Sequence, residues 1–283
     1  MKHIADLYAT DVMRRALIEA VLVGALCGVV GVHVVLRKLP LYTITVAHAT
    51  FPGIVLAAIA GIGELVGGLG FAAVLVLVVY ATGADRRLDS SATVGVALAG
   101  SLGLGVMLQS AQAGFTKDLT AVLVGSILTV DRSDLVITVV VGLAVLGTLA
   151  ATHKELVFRA FDPAGAEAVG YPRRLDLALL AAVAATVVAT VPAVGTILAV
   201  ALLAVPPMTA RLVTTRVGSA MAVAAVYGAA SGFLGLTASA EWDVAAGASI
   251  ALAAAALFAV TWAVVSAADR VSARRARRVA ALA

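Results

Sequence analysis

The apolar residues of this chain come in long, nearly unbroken blocks, each close to the ~20 residues that an α-helix needs to cross a bilayer. Blocks separated by charges lie near 16–36, 41–60, 66–83, 92–109, 134–152, 175–191, 194–213, 219–238 and 244–267. In lipid every backbone polar group must be satisfied inside the structure, so blocks of this length become helices. A β-barrel would alternate apolar and polar residues, and these stretches do not. Composition agrees: 62% of the 283 residues are hydrophobic and only 13% charged. A soluble domain carries about a quarter. The expected fold is all-α, a polytopic membrane bundle of about nine transmembrane helices. The block 119–130 is too short to cross and reads as a half-length or re-entrant helix packed inside the protein.

Lysine and arginine gather on the cytoplasmic side of membrane proteins. Nine spans and a cytoplasmic C-terminus put Arg37, Lys38, Arg86, Arg87, Lys154, Arg159, Arg173, Arg174, Arg211 and Arg216 on one side. Glu64, Asp131, Asp134, Glu241 and Asp243 then fall on the other, and so do Arg14 and Arg15, against the trend. The whole chain, 1–283, reads as one transmembrane domain: an N-terminal segment 1–15, a polar cytoplasmic segment 153–174, and a basic cytoplasmic tail 268–283. Residues 1–15 are too polar for the apolar core of a signal peptide. Within 153–174, Asp162-Pro163 is an N-cap followed by proline at the first helical position. A short helix over 163–169 should end at Gly170, with Pro172 preventing its continuation. It reads equally as a docking helix for another protein or as a solvated connector.

Few residues can carry chemistry. There is no P-loop, no H-E-x-x-H pair and no nucleophile elbow, so ATP hydrolysis and metallohydrolase chemistry are not expected of this chain. No basic patch interleaved with aromatics suggests nucleic acid. Cys27 is the only cysteine, so no intrachain disulfide can form, and it reads as a small core residue. His48 stands apart. It lies in the apolar run from Leu41 to about Ile62, with Pro52 one turn behind it. An ionisable side chain at membrane depth usually faces a bundle interior, a water-filled path or a partner. Thr45, His48 and Pro52 fall on roughly one stripe of the helix. A neutral imidazole there is either a core group bonded to a backbone carbonyl or a ligand for a transition metal. Glu241 and Asp243 are either ligands at the outer mouth of a path or a solvated turn. Pro52, Pro192 and Pro206 mark expected helix kinks.

Together these segments resemble the permease subunits of the zinc/manganese/iron family of bacterial ABC importers. Ala47-His-Ala-Thr-Phe-Pro-Gly53 is similar to the family's S-H-A-x-L-P-G. Asp118-Leu-Thr-Ala-Val-Leu-Val-Gly-Ser-Ile-Leu with Ser133-Asp134-Leu135 resembles D-L-x-x-x-L-F-G-x-I-L…D-L. Phe161-Asp-Pro with Ala168 and Gly170 is similar to the cytoplasmic F-D-P-E-x-A-x-x-x-G. Val194-Gly-Thr-Ile-Leu, Leu202 to Pro206 and Thr209-Ala-Arg-Leu212 match its V-G-x-x-L…L-x-x-P-A-x-T-A-R-L. The resemblance runs through nearly the whole chain. It implies a multi-pass protein of the bacterial plasma (inner) membrane, a homodimer of permeases around a central path. An ABC ATPase dimer would bind its cytoplasmic face, and an extracytoplasmic metal-binding protein would deliver the cargo. This chain would bind no cofactor, with ATP held by the ATPase subunit. Phe161, Asp162, Pro163, Ala168 and Gly170 would form the ATPase-coupling element, with Arg159 and Asp162 the charges to test there. His48 would line the translocation path.

Two departures bear on the cargo. The family usually has an aspartate one turn before the histidine, where this chain has Ile44. Its E-D-T-A-x-G-I reads Ser90-Ser-Ala-Thr-Val-Gly-Val96, so those acids are gone too. A nitrogen-rich site of few ligands favours zinc over manganese, which prefers oxygen, with iron also in range. A metal-chelate or cobalamin-like cargo suits the apolar path as an alternative, and a stand-alone secondary transporter is a further one.

Overall fold

The computed structural model describes residues 10–83, 90–111, 125 and 127–280. These form ten α-helices: α1 (Asp11–Leu36), α2 (Pro40–Ala60), α3 (Glu64–Thr82), α4 (Ser90–Ser110), α5 (Arg132–Ala151), α6 (His153–Phe161), α7 (Pro163–Ala168), α8 (Arg174–Val213), α9 (Val217–Trp242) and α10 (Ala246–Ala280). No strand occurs among the described residues. Eight of the helices are long and apolar enough to cross a membrane. Local chemistry sets their ends. Thr10 caps α1 and Pro40 opens α2. Gly61, left-handed at φ 68°, closes α2, with the Ile62 N–H donating to Ala57 O. Asp131 and Asp134 form a reciprocal capping box at the start of α5. The Ser133 hydroxyl bond is the largest cause holding the Asp131 carboxyl below its ordinary pKa.

Among the described residues the eight long helices have nine long apolar limbs, because α8 turns back on itself. Straight, its 40 residues would span about 60 Å, twice the hydrocarbon thickness. Both of its ends instead meet the same end of α1. Asp176, at its start, bonds Arg37 at 3.0 Å, while Ala210, near its end, packs with Val32. The reversal is at Gly195, whose φ 79°, ψ 164° lies in a region essentially restricted to glycine. Pro192, an expected kink, sits three residues before it, and its missing N–H loosens the ladder there. The expected spans 175–191 and 194–213 are the two limbs of this one helix. Gly125 packs directly against Gly195. Of the expected half-length helix 119–130, residues 119–124 and 126 lie outside the described residues; Ile127–Thr129 form one 3-10 turn.

The core runs along α1, α2 and α8, the most buried helices; α3, α4, α5 and α10 flank them and show most of their surface. Where α1 meets α9, Gly24, Gly28 and Ala20 face Gly228, Ala224 and Gly232 so closely that backbone touches backbone. Lipid tails are as apolar as the side chains, so helix association here comes from this close packing. The arginine-rich face, labelled inner, carries the ends of α1, α3 and α5, α6 and α7, and the starts of α2 and α4. The opposite face, labelled outer, carries the start of α5, the Gly195 turn and the loop between α9 and α10.

Candidate functional site

His48 occupies the middle of α2, half-buried, and Ile44 one turn earlier is half-buried on the same stripe. The helix continues through Pro52. Because proline has no N–H, the carbonyl of the residue four before it loses its intrahelical donor, and that residue is His48 itself. The His48 carbonyl therefore lacks the intrahelical donor that a residue other than proline would supply at position 52. Thr45 is fully buried, and its hydroxyl donates to Leu41 O at 3.0 Å and to Val94 O of α4 at 3.3 Å. It ties α2 to α4.

Glu241 and Asp243 are exposed at the outer end of α9, Asp243 in the left-handed conformation at φ 51°. Helix α9 packs chiefly on α1, α8 and α10, whereas α2 packs on α3, α4 and α8. The fold brings other acids to α2. Glu64 at the start of α3 and Asp134 at the start of α5 line a cavity of about 150 Å³ with Thr50 and Ile54 of α2 and Pro192 of α8. Thr50 is two residues from His48. Nothing in the local sequence pairs residues 64 and 134, because only packing of α3 and α5 around α8 makes them neighbours.

At the inner face, α7 is built as its sequence dictates. The Asp162 carboxylate accepts the Gly165 N–H at 2.8 Å. Beyond Ala168, the Gly170 N–H donates to Glu167 O at 3.0 Å and the Tyr171 N–H to Ala166 O at 2.9 Å, with Gly170 at φ 92°. Ala166 alone of this helix is buried. Phe161, Pro163, Ala168 and Val169 are presented outward, Phe161 at 65% exposure. Arg159 departs from the expectation of a surface docking charge, being only 4% exposed. Its Nε donates to both Asp176 oxygens at 3.0 Å, and its Nη2 lies 2.9 Å from Asp176 and 3.4 Å from Glu167. Those bonds, led by the one to Asp176, raise its already high pKa further. Arg37 joins the same carboxylate at 3.0 Å. Arg173 donates to Tyr80 O at 3.0 Å with its guanidinium 5.1 Å over the Tyr80 ring. The segment bearing α7 is thus bolted to α1, α3 and α8 by charge-assisted bonds.

Two buried polar groups escape a reading of the sequence. Glu19 of α1 is wholly buried and accepts from the Thr138 hydroxyl of α5 at 2.6 Å. His33, one turn from the end of α1, is 1% exposed. Each stands in an apolar run with no breaker beside it, so the signal that singled out His48 is missing.

Known proteins resemble the chain through most of its length. Residues 9–265 match the model of the ABC 3 transport family. The manganese transport system membrane protein MntC of Halalkalibacterium halodurans is 33% identical over 258 residues, covering 91% of this chain and 88% of that protein. The manganese import system permease protein ScaB of Streptococcus gordonii is 32% identical over 265 residues, 92% of this chain and 94% of that one. Among solved structures, PsaBC from Streptococcus pneumoniae in complex with Fab superposes with a TM-score of 0.81 at 32% identity, covering 92% of this chain and 95% of that chain.

Proposed function

The chain belongs to the ABC 3 transport family, and from that premise we propose that it is the permease subunit of an ATP-binding-cassette importer for a divalent first-row transition metal, manganese ahead of zinc. The observation that carries the reading is His48, an imidazole half-buried in the middle of a spanning helix, one turn before a proline. The relatives whose names specify manganese support the same cargo. The argument for zinc rested on Ile44 removing an oxygen donor, and the manganese-named relatives outweigh it. The cavity holding Glu64 and Asp134 would be the outer mouth from which a binding protein's cargo reaches α2. Helix α7, capped and exposed with Phe161 at its base, would dock a cytoplasmic ATPase that hydrolyses the ATP. Two permease copies would enclose the path, and both C-termini would be cytoplasmic. Nucleotide state on the ATPase then biases two arrangements of the bundle, opening His48 to one side at a time.

The test is ATP-driven uptake into proteoliposomes holding the permease with its ATPase. Manganese should accumulate only with both subunits present. Undiminished uptake without the ATPase would overturn the importer reading; zinc outcompeting manganese would overturn the cargo alone. His48→Ala should lower uptake about tenfold or more, since even outer-shell partners of a metal ligand matter by that much. The variant should assemble normally, and unchanged uptake by it would remove His48 from the path. Phe161→Ala should weaken ATPase capture by about 2 kcal/mol, the loss typical of truncating an aromatic anchor. Stoichiometric pull-down of the ATPase by that variant would exclude Phe161 as the anchor.

A further inference from the structure

Helix α10 does not stop where its apolar stretch does. Its 35 residues run from Ala246 to Ala280, but charged residues begin at Asp269. After Gly247 no glycine or proline interrupts it, so one helical register carries from the apolar stretch into the charged one. Within the bundle that register has two faces. Ile250 and Ala254 are buried, and the Thr261 hydroxyl lies 3.0 Å from the Tyr227 hydroxyl of α9. On the opposite side Leu252, Val260, Ala263 and Ala267 are exposed, Leu252 at 70%. With 3.6 residues per turn, Arg270, Arg274, Arg277 and Arg278 fall within about 100° of arc, on the line of Leu252 and Ala263. Arg275 falls toward the side of Ile250. We propose that these four aligned arginines form a binding stripe for the phosphate groups of anionic phospholipids, in the leaflet at the arginine-rich face.

Direction selects lipid over a protein docked beneath the bundle. The stripe prolongs the face that α10 turns away from α9 and α8, the helices it packs on, and that face looks onto lipid. Charge selects an anionic headgroup. Between Asp269 and Ala280 five arginines meet one aspartate, and a basic cluster that directly follows a spanning helix is drawn to anionic lipid. Depth fits as well. Ala246 to Ala268 covers about 34 Å, enough for the ~30 Å hydrocarbon core, so Arg270 stands at headgroup level. Arg278 lies about 12 Å further along the axis, a distance that the headgroup layer and a Debye length of ~8 Å cover together. A guanidinium presents paired N–H donors that match phosphate oxygens, which a solvated stripe of glutamines would not. Lipids held this way would lay their acyl chains along the exposed face of α10.

Binding does not depend on the transport reading, so the test needs no transport. Trp242 and Trp262 are the only tryptophans of the chain. Trp262 is 54% exposed on α10, about 12 Å along the axis from Arg270 on the bilayer side. The full-length chain carrying Trp242→Phe is reconstituted in phosphatidylcholine vesicles. Trp262 fluorescence is then quenched by phosphatidylglycerol or phosphatidylcholine with brominated acyl chains, each added as a minor component. Phosphatidylglycerol should bind beside Trp262 roughly fivefold more strongly than phosphatidylcholine, the effect of one arginine at a membrane surface. The preference should vanish when Arg270→Gln, Arg274→Gln, Arg277→Gln and Arg278→Gln are combined. Lysine at the same four positions should keep most of it, and Arg275→Gln should change it little. Equal quenching by the two lipids without the glutamines, or a preference that survives them, overturns the proposal. Equal quenching together with lost ATPase capture by the fourfold glutamine variant would assign the stripe to that protein instead.

Discussion

Asp176→Ala is expected to release the α6–α7 segment from the bundle and to abolish coupled transport. This carboxylate takes three close contacts from Arg159, at 2.9 to 3.0 Å, and one from Arg37 at 3.0 Å. Without it, Arg159 keeps Glu167 at 3.4 Å and Tyr171 O at 3.5 Å, and faces Arg37 with no anion between them. Breaking a buried pair on one side costs about 3–5 kcal/mol, because the remaining charge stays buried. At ~1.4 kcal/mol per factor of ten, the docked arrangement should fall by about two to three and a half orders of magnitude. Limited trypsinolysis checks this directly, since Lys154 and Arg159 should become cleavable while the spanning helices stay protected. ATP-driven uptake should fall in parallel. The triple variant Arg37→Leu, Arg159→Leu and Asp176→Leu should recover much of the protection at Lys154, as replacing a whole buried ionic cluster is far milder than removing one member of it. Wild-type protease resistance in Asp176→Ala would show that the segment is held by something else.

Gly228→Val should leave little folded protein. A Cβ at residue 228 would overlap the Gly24 carbonyl, and Gly28 and Gly232 are held against Ala224 and Ala20 in the same way. Overpacking costs about 1–3 kcal/mol where side chains can yield. Here the obstacle is backbone on both sides, so the relief available is separation of α1 from α9 along their length. Gly147→Val on α5, whose added carbons meet open space, is the matched control and should behave as wild type. Size-exclusion profiles in detergent after brief heating distinguish the two. A Gly228→Val variant eluting as wild type would mean that this contact contributes little.

Much of the fold was legible because membrane helices are specified locally. The nine apolar blocks correspond to the eight long helices among the described residues, two of them being the limbs of the single broken helix α8. The Asp162-Pro163 start and Gly170 stop of α7 were equally readable, since a cap and a left-handed glycine act within a few residues of themselves. Arg159 was not readable. Its position among cytoplasmic charges suggested a docking surface, but its partner Asp176 is 17 residues away and Arg37 lies 139 residues from that aspartate. The pairing of Glu19 with Thr138 was hidden for the same reason. The bond from the Thr45 hydroxyl to Val94 O of α4 was likewise hidden, because a stripe shows only its own helix.

The sequence by itself determined the class, the crossings, the capped inner helix and the singular histidine. Each follows from a short-range requirement: backbone bonds satisfied within a helix in lipid, a cap within one turn, an ionisable group out of place in an apolar run. The tertiary structure decided the reversal of α8 onto one end of α1, the aspartate that bolts the inner segment down, and the acids gathered beside α2. These depend on which distant surfaces pack together, and packing of small residues in lipid is set by shape complementarity across the whole bundle rather than by any local pattern.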